Sequence, residues 1–596
     1  MNYVCNPINI EYKYQFVEFG KMMLYREAAD PSLIRFKGKY YLFPSMTAGF
    51  LTSSNLADWE YHALTGVPLY DYAPDVRVIG EWLYFSASSK SKNCSFFRTK
   101  DPIEGKFEEI PAGFPFWDPN LFLDDYGRIY FYWGCSNLTP IYGVELHPED
   151  MTPLGESVAL IFGRPEMHGY ERNGEDHVFG RTPEQIEELV QAYANSGNVT
   201  EENLRRFRVA VGSDPYMEGA WMDKYDGRYY LQYASPATEV NVYSDGVYVS
   251  AHPLGPFTPA RNNPYSYKPG GFIPGAGHGS TLEDEFGNRW HAASMRISVN
   301  HPFERRMGLW PAGFDPDGEL FCNQRYGDWP MKIEQAAMDP WSQPEWMLLS
   351  YGKPARASSY AEGKEASLAV DENVQTWWKA ASPQPGEWLE LDLEQVCNVH
   401  AVQLNFADDG LSLPFPEGIT PAVNGELQKT RRHIEERKHV TRWLLEGSVD
   451  GTGYFVIEDK SEADSDLPHD LIVKEAGVKA RFIRCTVKEL PYGQTACISG
   501  LRVFGLGEGE RPDKVTGVQT RLISGLDLTV SWDQEKAAGY NVLWGFAPEK
   551  LYHSYMVFGK NEVNIGALVK GQSLYVRVDA FNEAGITEGD VYKVID

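Results

Sequence analysis

Along the first half of the chain, short apolar strands alternate with polar turns in one recurring order. Five times such a strand runs into a turn glycine and returns through aromatic residues: DPSLIRFKGKYYLF, DVRVIGEWLYF, DPNLFLDDYGRIYFYW, EGAWMDKYDGRYYLQY and HGSTLEDEFGNRWHAA. The turn glycines are Gly38, Gly80, Gly127, Gly227 and Gly287. Glycine supplies the positive φ of a tight hairpin turn, so each repeat predicts one hairpin of a sheet. Asp30, Asp75 and Asp118 open the first three repeats at spacings of 45 and 43 residues. That period suits one four-stranded blade per repeat, and five repeats predict a five-bladed β-propeller over residues 1–340.

The interval between the third and fourth repeats is about twice the others. Thr182-Pro183-Glu184-Gln185 is a capping box with proline at the first helical position, and Ile186, Leu189, Val190 and Tyr193 follow on one face. A helical insertion over about 165–210 is therefore expected. From residue 345 the pattern shifts to alternating strands with polar loops, which predicts a β-sandwich over 345–507. Within it Asp408–His439 is a long polar insertion ending in the basic run KTRRHIEERKH, read as a solvated helix. Strands in 510–596 predict a small immunoglobulin-like sandwich. The expected fold class is all-β.

Composition narrows the partners. The net charge of -28 repels polyphosphate over most of the surface, which argues against nucleic acid. No apolar run reaches the eighteen residues of a membrane span. The first residues carry neither a basic nor an apolar leader region, so a cytoplasmic location is expected. Seven cysteines, widely scattered and without metal-ligand spacing, read as free and mostly buried thiols.

The candidate chemistry lies where the hairpins begin. Asp30 is eight residues before its turn glycine, and Asp118, Glu218 and His278 are nine before theirs. This predicts four ionisable groups at one strand position, all facing the central channel. Two carboxyls across a sugar are what glycoside hydrolysis needs, one to protonate the leaving oxygen and one to activate water or attack carbon. A third can raise the acid's pKa by like-charge repulsion. Asp75 lies only five residues before its glycine and reads as a structural residue bonding loop amides. Trp117, Tyr216 and Trp221 stand near the carboxylates and are candidates for stacking on a sugar, as well as for the core.

Residues 1–340 resemble glycoside hydrolase family 43, a five-bladed propeller family of α-L-arabinofuranosidases, β-xylosidases and arabinanases. EAADPSLIRFKGKYYLF, YAPDVRVIGEWLYFSAS, FWDPNLFLDDYGRIYFYWG and MEGAWMDKYDGRYYLQYAS carry the likeness in order. GAWM follows Glu218 where the family often has proline. The resemblance implies Asp30 as general base, Asp118 as pKa modulator and Glu218 as general acid. GAGHGSTLEDEFGNRWHAA resembles the fifth-blade motif, which implies His278 on the channel axis beside a structural calcium or water cluster; the alternative is a satisfied core histidine. FERRMGLWPAGFDPDG resembles the closing segment whose arginine contacts sugar hydroxyls, implying Arg305, with Arg306 as the alternative and Arg296 as a third candidate. Residues 345–507 resemble a discoidin domain, a frequent carbohydrate-binding module, and the last segment resembles fibronectin type III. Together these imply an inverting, exo-acting glycosidase acting on an oligosaccharide or polysaccharide. It would release α-L-arabinofuranosyl or, second, β-D-xylosyl units and need no nucleotide or redox cofactor. Relatives acting on galactosyl or fructosyl linkages, and a non-catalytic glycan-binding propeller, are the alternatives. Oligomeric state is not readable from the sequence.

Overall fold

The computed structural model describes residues 2–88, 93–197, 199–424, 430–534 and 536–594. Five four-stranded antiparallel sheets follow one another in sequence, spanning 29–63, 75–111, 120–161, 218–259 and 277–322. Each contains one of the five repeats as its first two strands, innermost in the blade. The chain is a five-bladed propeller followed by further β-units. One large sheet spans 347–506, and the last strands form a three-stranded and a five-stranded sheet over 519–593. Among the described residues, no helix is long and apolar enough to cross a membrane.

The helical insertion forms two helices, Pro183–Ala194 and Glu201–Val211. Thr182 makes the expected capping box with Gln185, leaving fewer orphan amides in the first turn. Their contact is small: Tyr193 stacks on Phe207 at 4.2 Å, Val190 is buried and Leu189 is not.

Among its described residues, the insertion in the second unit forms no helix. Within Asp408–His439 the chain forms two strands, Ala422–Asn424 and Thr430–Ile434, and the second pairs antiparallel with Lys13–Phe19. Together with Lys21–Glu27 they make a four-stranded sheet shared by the N-terminal strands and the second unit. Charge composition misled here, because it carries no information on pairing, and Thr430–Ile434 is paired on both sides. Lys429, which opens the basic run, lies outside the described residues.

Buried ion pairs lock the units together. Arg26 lies 3.1 Å from Asp408 and 2.6 Å from Asp466, and Arg306 Nε lies 2.8 Å from His469 Nε2. Arg502 pairs with Glu372 at 2.8 Å and donates to the Asp328 carbonyl at 2.7 Å. The last unit docks through Arg172 on Asp527 and through the Gly169 N–H on the Leu568 carbonyl.

Candidate active site

At the start of each inner strand the backbone carries the same irregularity. Ladder pairing skips from Ala29 to Ser32, from Glu218 to Trp221 and from Gly277 to Ser280. At the equivalent point of all five blades one residue has positive φ: Asp30 (48°), Ala73 (51°), Asp118 (47°), Gly219 (63°) and His278 (53°). A non-glycine residue in this region is uncommon and costs about 1–3 kcal/mol, so three ionisable groups held there mark a strained site.

This register corrects the count from the turn glycines. Asp30, Asp118 and His278 are equivalent, but Glu218 stands one residue ahead, in the place of Tyr72 and Trp117, while Gly219 takes the strained position. Counting from the turn failed because the turns differ in length. Phe36 pairs with Lys39 across a two-residue turn, whereas Leu123 pairs with Ile129 across five. Glycine is required at 219, since a Cβ there would lie 2.9 Å from Cγ of the His278 ring.

A ring of side chains receives the strained backbone amides. Asp30 N–H donates to Ser294 Oγ at 2.8 Å, Ala73 to Ser45 at 2.7 Å and Asp118 to Ser88 at 2.9 Å, each serine coming from the preceding blade. In blades three and four the equivalent residues are Gly134 and Ala234, which have no hydroxyl. There the amides turn to carboxylates, Gly219 to Asp118 Oδ2 at 3.3 Å and His278 to Asp245 Oδ1 at 2.7 Å. Asp75 accepts from Leu121 N and Asn120 Nδ2, tying blade two to blade three.

The three carboxyls sit in different electrostatic settings. Arg305 Nη1 donates to Asp30 Oδ1 at 2.8 Å and Nη2 to Oδ2 at 3.3 Å, while Ser45 Oγ donates to Oδ2 at 2.7 Å. Burial opposes ionisation of Asp30, but Arg305, His278 and Ser45 outweigh it, and its pKa is lowered. Asp118 is buried without an arginine. Desolvation first, then the Glu218 and Asp30 charges, push it up to about 7, against the pull of His278. Glu218 accepts from Tyr243 Oη at 2.6 Å on Oε1 and from Cys135 Sγ at 3.3 Å on Oε2. His278 Nδ1 lies 3.4 Å from Asp30 and 3.8 Å from Asp118. Burial lowers its pKa, yet the surrounding carboxylates raise it overall.

The remaining candidates separate. Arg305 reaches the pocket, but through Asp30 and Glu27, to which it donates at 2.7 Å. Arg306 points away, into the seam with the second unit at His469, so it is not a sugar ligand. Its neighbour in the strand necessarily faces the other side of the sheet. Arg296 is tied to Glu175 at 2.7 Å. Trp221 is 4% exposed with Arg77 stacked 3.4 Å over its ring, so it is core and not a platform. Trp117 is half-buried, and Tyr216 is 40% exposed. Cys135 and Tyr243 escaped the sequence reading. Cys135 follows an aromatic strand like the serines do, but nothing in the pattern marks Tyr243.

Among the described residues, one group of three potential metal ligands converges, Asp118, Cys135 and Glu218, with ligand atoms within 4.8 Å of one another. His278 is not part of it. Calcium takes six to eight oxygens, which a thiol and two carboxyls do not supply.

Residues 184–320, which include the fourth blade and nearly all of the fifth, match Glycosyl hydrolases family 43. The fourth and fifth blades are thus similar to that family. No curated protein matches it. Solved structures similar to this chain include a thermostable family-43 glycoside hydrolase, 20% identical over 57% of this chain and 100% of its own, with a TM-score of 0.40. Another is the Bacteroides ovatus xyloglucan PUL GH43B, 14% identical over 99% and 98%, with a TM-score of 0.40. A third is the BlXynB protein from Bacillus licheniformis, 15% identical over 84% and 98%, with a TM-score of 0.40. The match supports a glycosidase acting on carbohydrate.

Proposed function

We propose that this chain is an inverting, exo-acting glycosidase releasing terminal pentose-type sugars from plant-type glycans, α-L-arabinofuranosyl first and β-D-xylosyl second. The observation that carries the mechanism is the contrast between Asp30, held ionised by Arg305, and the cluster of Asp118, Glu218, Cys135 and Tyr243, which lacks an arginine. Asp30 takes a proton from water as the water attacks the anomeric carbon. Glu218, oriented from two sides by Tyr243 and Cys135, protonates the departing oxygen. Asp118 is the modulator: its pKa is raised to about 7, in part by the Glu218 charge, and the two carboxyls sit in one cluster. Acid and base assistance are each worth roughly 100- to 10,000-fold.

The sugar preference rests on the likeness of the four blade motifs to a family rich in pentosidases. The large sheet over 347–506 is proposed as a discoidin-like carbohydrate-binding module, and the last unit as a fibronectin type III-like spacer. The test is a panel of nitrophenyl pentosides and hexosides with Asp30→Asn and Glu218→Gln. Asp30→Asn abolishes turnover throughout, whereas Glu218→Gln is less damaging with the activated nitrophenol than with a natural leaving group. Near-normal turnover in folded Asp30→Asn refutes the assignment; a wild-type chain that binds glycans yet hydrolyses none favours the non-catalytic alternative.

A further inference from the structure

The strand Thr430–Ile434 belongs by sequence to the second unit but lies against the propeller, paired with Lys13–Phe19. Its neighbour Lys21–Glu27 runs, two residues later, into Asp30. One arginine of this strand, Arg431, is exposed and pairs with Glu18 at 2.8 Å. The next, Arg432, turns inward. Its guanidinium stacks 5.0 Å from the Tyr72 ring centre, and Nη1 donates to the Tyr72 hydroxyl and approaches Met46 Sδ at 2.8 Å. Its Nε is buried without a hydrogen-bond partner, and so are the Tyr25 hydroxyl and Glu27 Oε2 close by.

Tyr72 is at a telling position. It precedes the strained Ala73, so it occupies in blade two the place that Glu218 occupies in blade four and Trp117 in blade three. The guanidinium of Arg305, the partner of Asp30, stacks 5.4 Å from the Tyr72 ring centre, and Phe303 packs edge-on to that ring at 5.8 Å. An aromatic at this register beside the base is a wall of the sugar site, and a half-buried tyrosine needs its hydroxyl fixed to hold one orientation.

We propose that the second unit is part of the active site: Arg432 is a positioning residue that fixes Tyr72 as the wall beside Asp30 and thereby sets which sugar ring the site accepts. The inference rests on the glycosidase reading for its effect on selectivity, but not for the contact itself. Two measurements separate these. Hydrogen exchange across residues 70–76 should be at least several-fold faster in Arg432→Ala than in the wild type and in Arg431→Ala, with the other blades unchanged. In steady-state assays on aryl arabinofuranosides and xylosides, Arg432→Ala should lower kcat/KM at least tenfold, chiefly through KM, and alter the ratio between the two sugars. Arg431→Ala should stay within twofold, and Tyr72→Phe should add little to Arg432→Ala, because both remove one contact. Unchanged exchange at 70–76 in Arg432→Ala overturns the positioning role. Faster exchange with an unaltered sugar ratio overturns its part in selectivity. A wild-type chain inactive on every glycoside defeats the glycosidase reading, and the exchange result still decides the contact.

Discussion

Replacing Asp118 by asparagine removes a carboxyl that the folded protein protonates more readily than the unfolded chain does. Its pKa rises from 3.8 unfolded to about 7 folded, chiefly through desolvation. At 1.36 kcal/mol per unit, about three units correspond to about 4 kcal/mol. The sign follows from proton binding. Between pH 4 and 7 the folded state holds the extra proton, so the stabilising contribution is full below about pH 4 and is lost as pH rises to 7. Asparagine keeps an oxygen for the Gly219 amide and never ionises. Asp118→Asn should therefore gain on the wild type as pH rises, by up to about 4 kcal/mol at pH 8, while the two converge near pH 4. Urea unfolding of both proteins at pH 4, 5, 6, 7 and 8 measures this, because the contribution of the other units cancels in the difference. Asp30→Asn is the internal control with the opposite sign. Its carboxyl has a lowered pKa, so the stability it contributes is present above the usual aspartate range and is lost on acidification. That variant should be weakest at neutral pH and recover relative to the wild type in acid. A stability difference for Asp118→Asn that is flat or falls between pH 5 and 8 refutes the electrostatic account of the site.

Other outcomes follow from the same geometry. Gly219→Ala should lose most activity and be destabilised by at least 1–3 kcal/mol in urea unfolding, since its Cβ meets His278 at 2.9 Å and its φ is 63°. Ending the chain after Asp339 leaves the carboxyls in place but strips Arg26 and Arg306 of Asp408, Asp466 and His469 and uncovers the seam they line, so the truncated chain should be insoluble or molten by near-ultraviolet circular dichroism. Proton NMR of the first-formed sugar should show the anomeric configuration opposite to the substrate's; a retained product, or transfer to methanol, would make Asp30 a nucleophile.

Much of the fold was written in local pattern. Five Gly turns flanked by aromatic strands are short-range signals, and the five sheets form where they predict. The Thr182 capping box was readable for the same reason. What failed depended on long-range pairing. Nothing near residue 430 indicates that its partner strand begins at Lys13, so the ribbon read as a helix. Arg305 and Arg306 are adjacent and chemically identical, and only the strand's alternation, anchored by the sheet, sends one to Asp30 and the other to His469. The site was legible as a set of carboxyls, but its register was not, because bulges and turn lengths shift the count by one residue.

The bulge also explains how one repeated motif gives two chemistries. Asp30-Pro31 and Asp118-Pro119 open equivalent strands, with equal backbone strain and with a serine from the preceding blade on each amide. Their surroundings diverge by what the neighbouring blades contribute. Closure of the propeller brings blade five, and with it Arg305, against blade one, so Asp30 meets a cation. Blade four brings against blade three only the Gly219 amide and another carboxyl, Glu218. A buried carboxyl beside a guanidinium stays ionised, whereas one beside a second carboxyl keeps its proton. His278, equivalent to both and placed between them, is held by the charge of one and lowers the proton affinity of the other. Transplanting the cation would erase the difference: a guanidinium near Asp118 would ionise it at neutral pH, as Arg305 does Asp30.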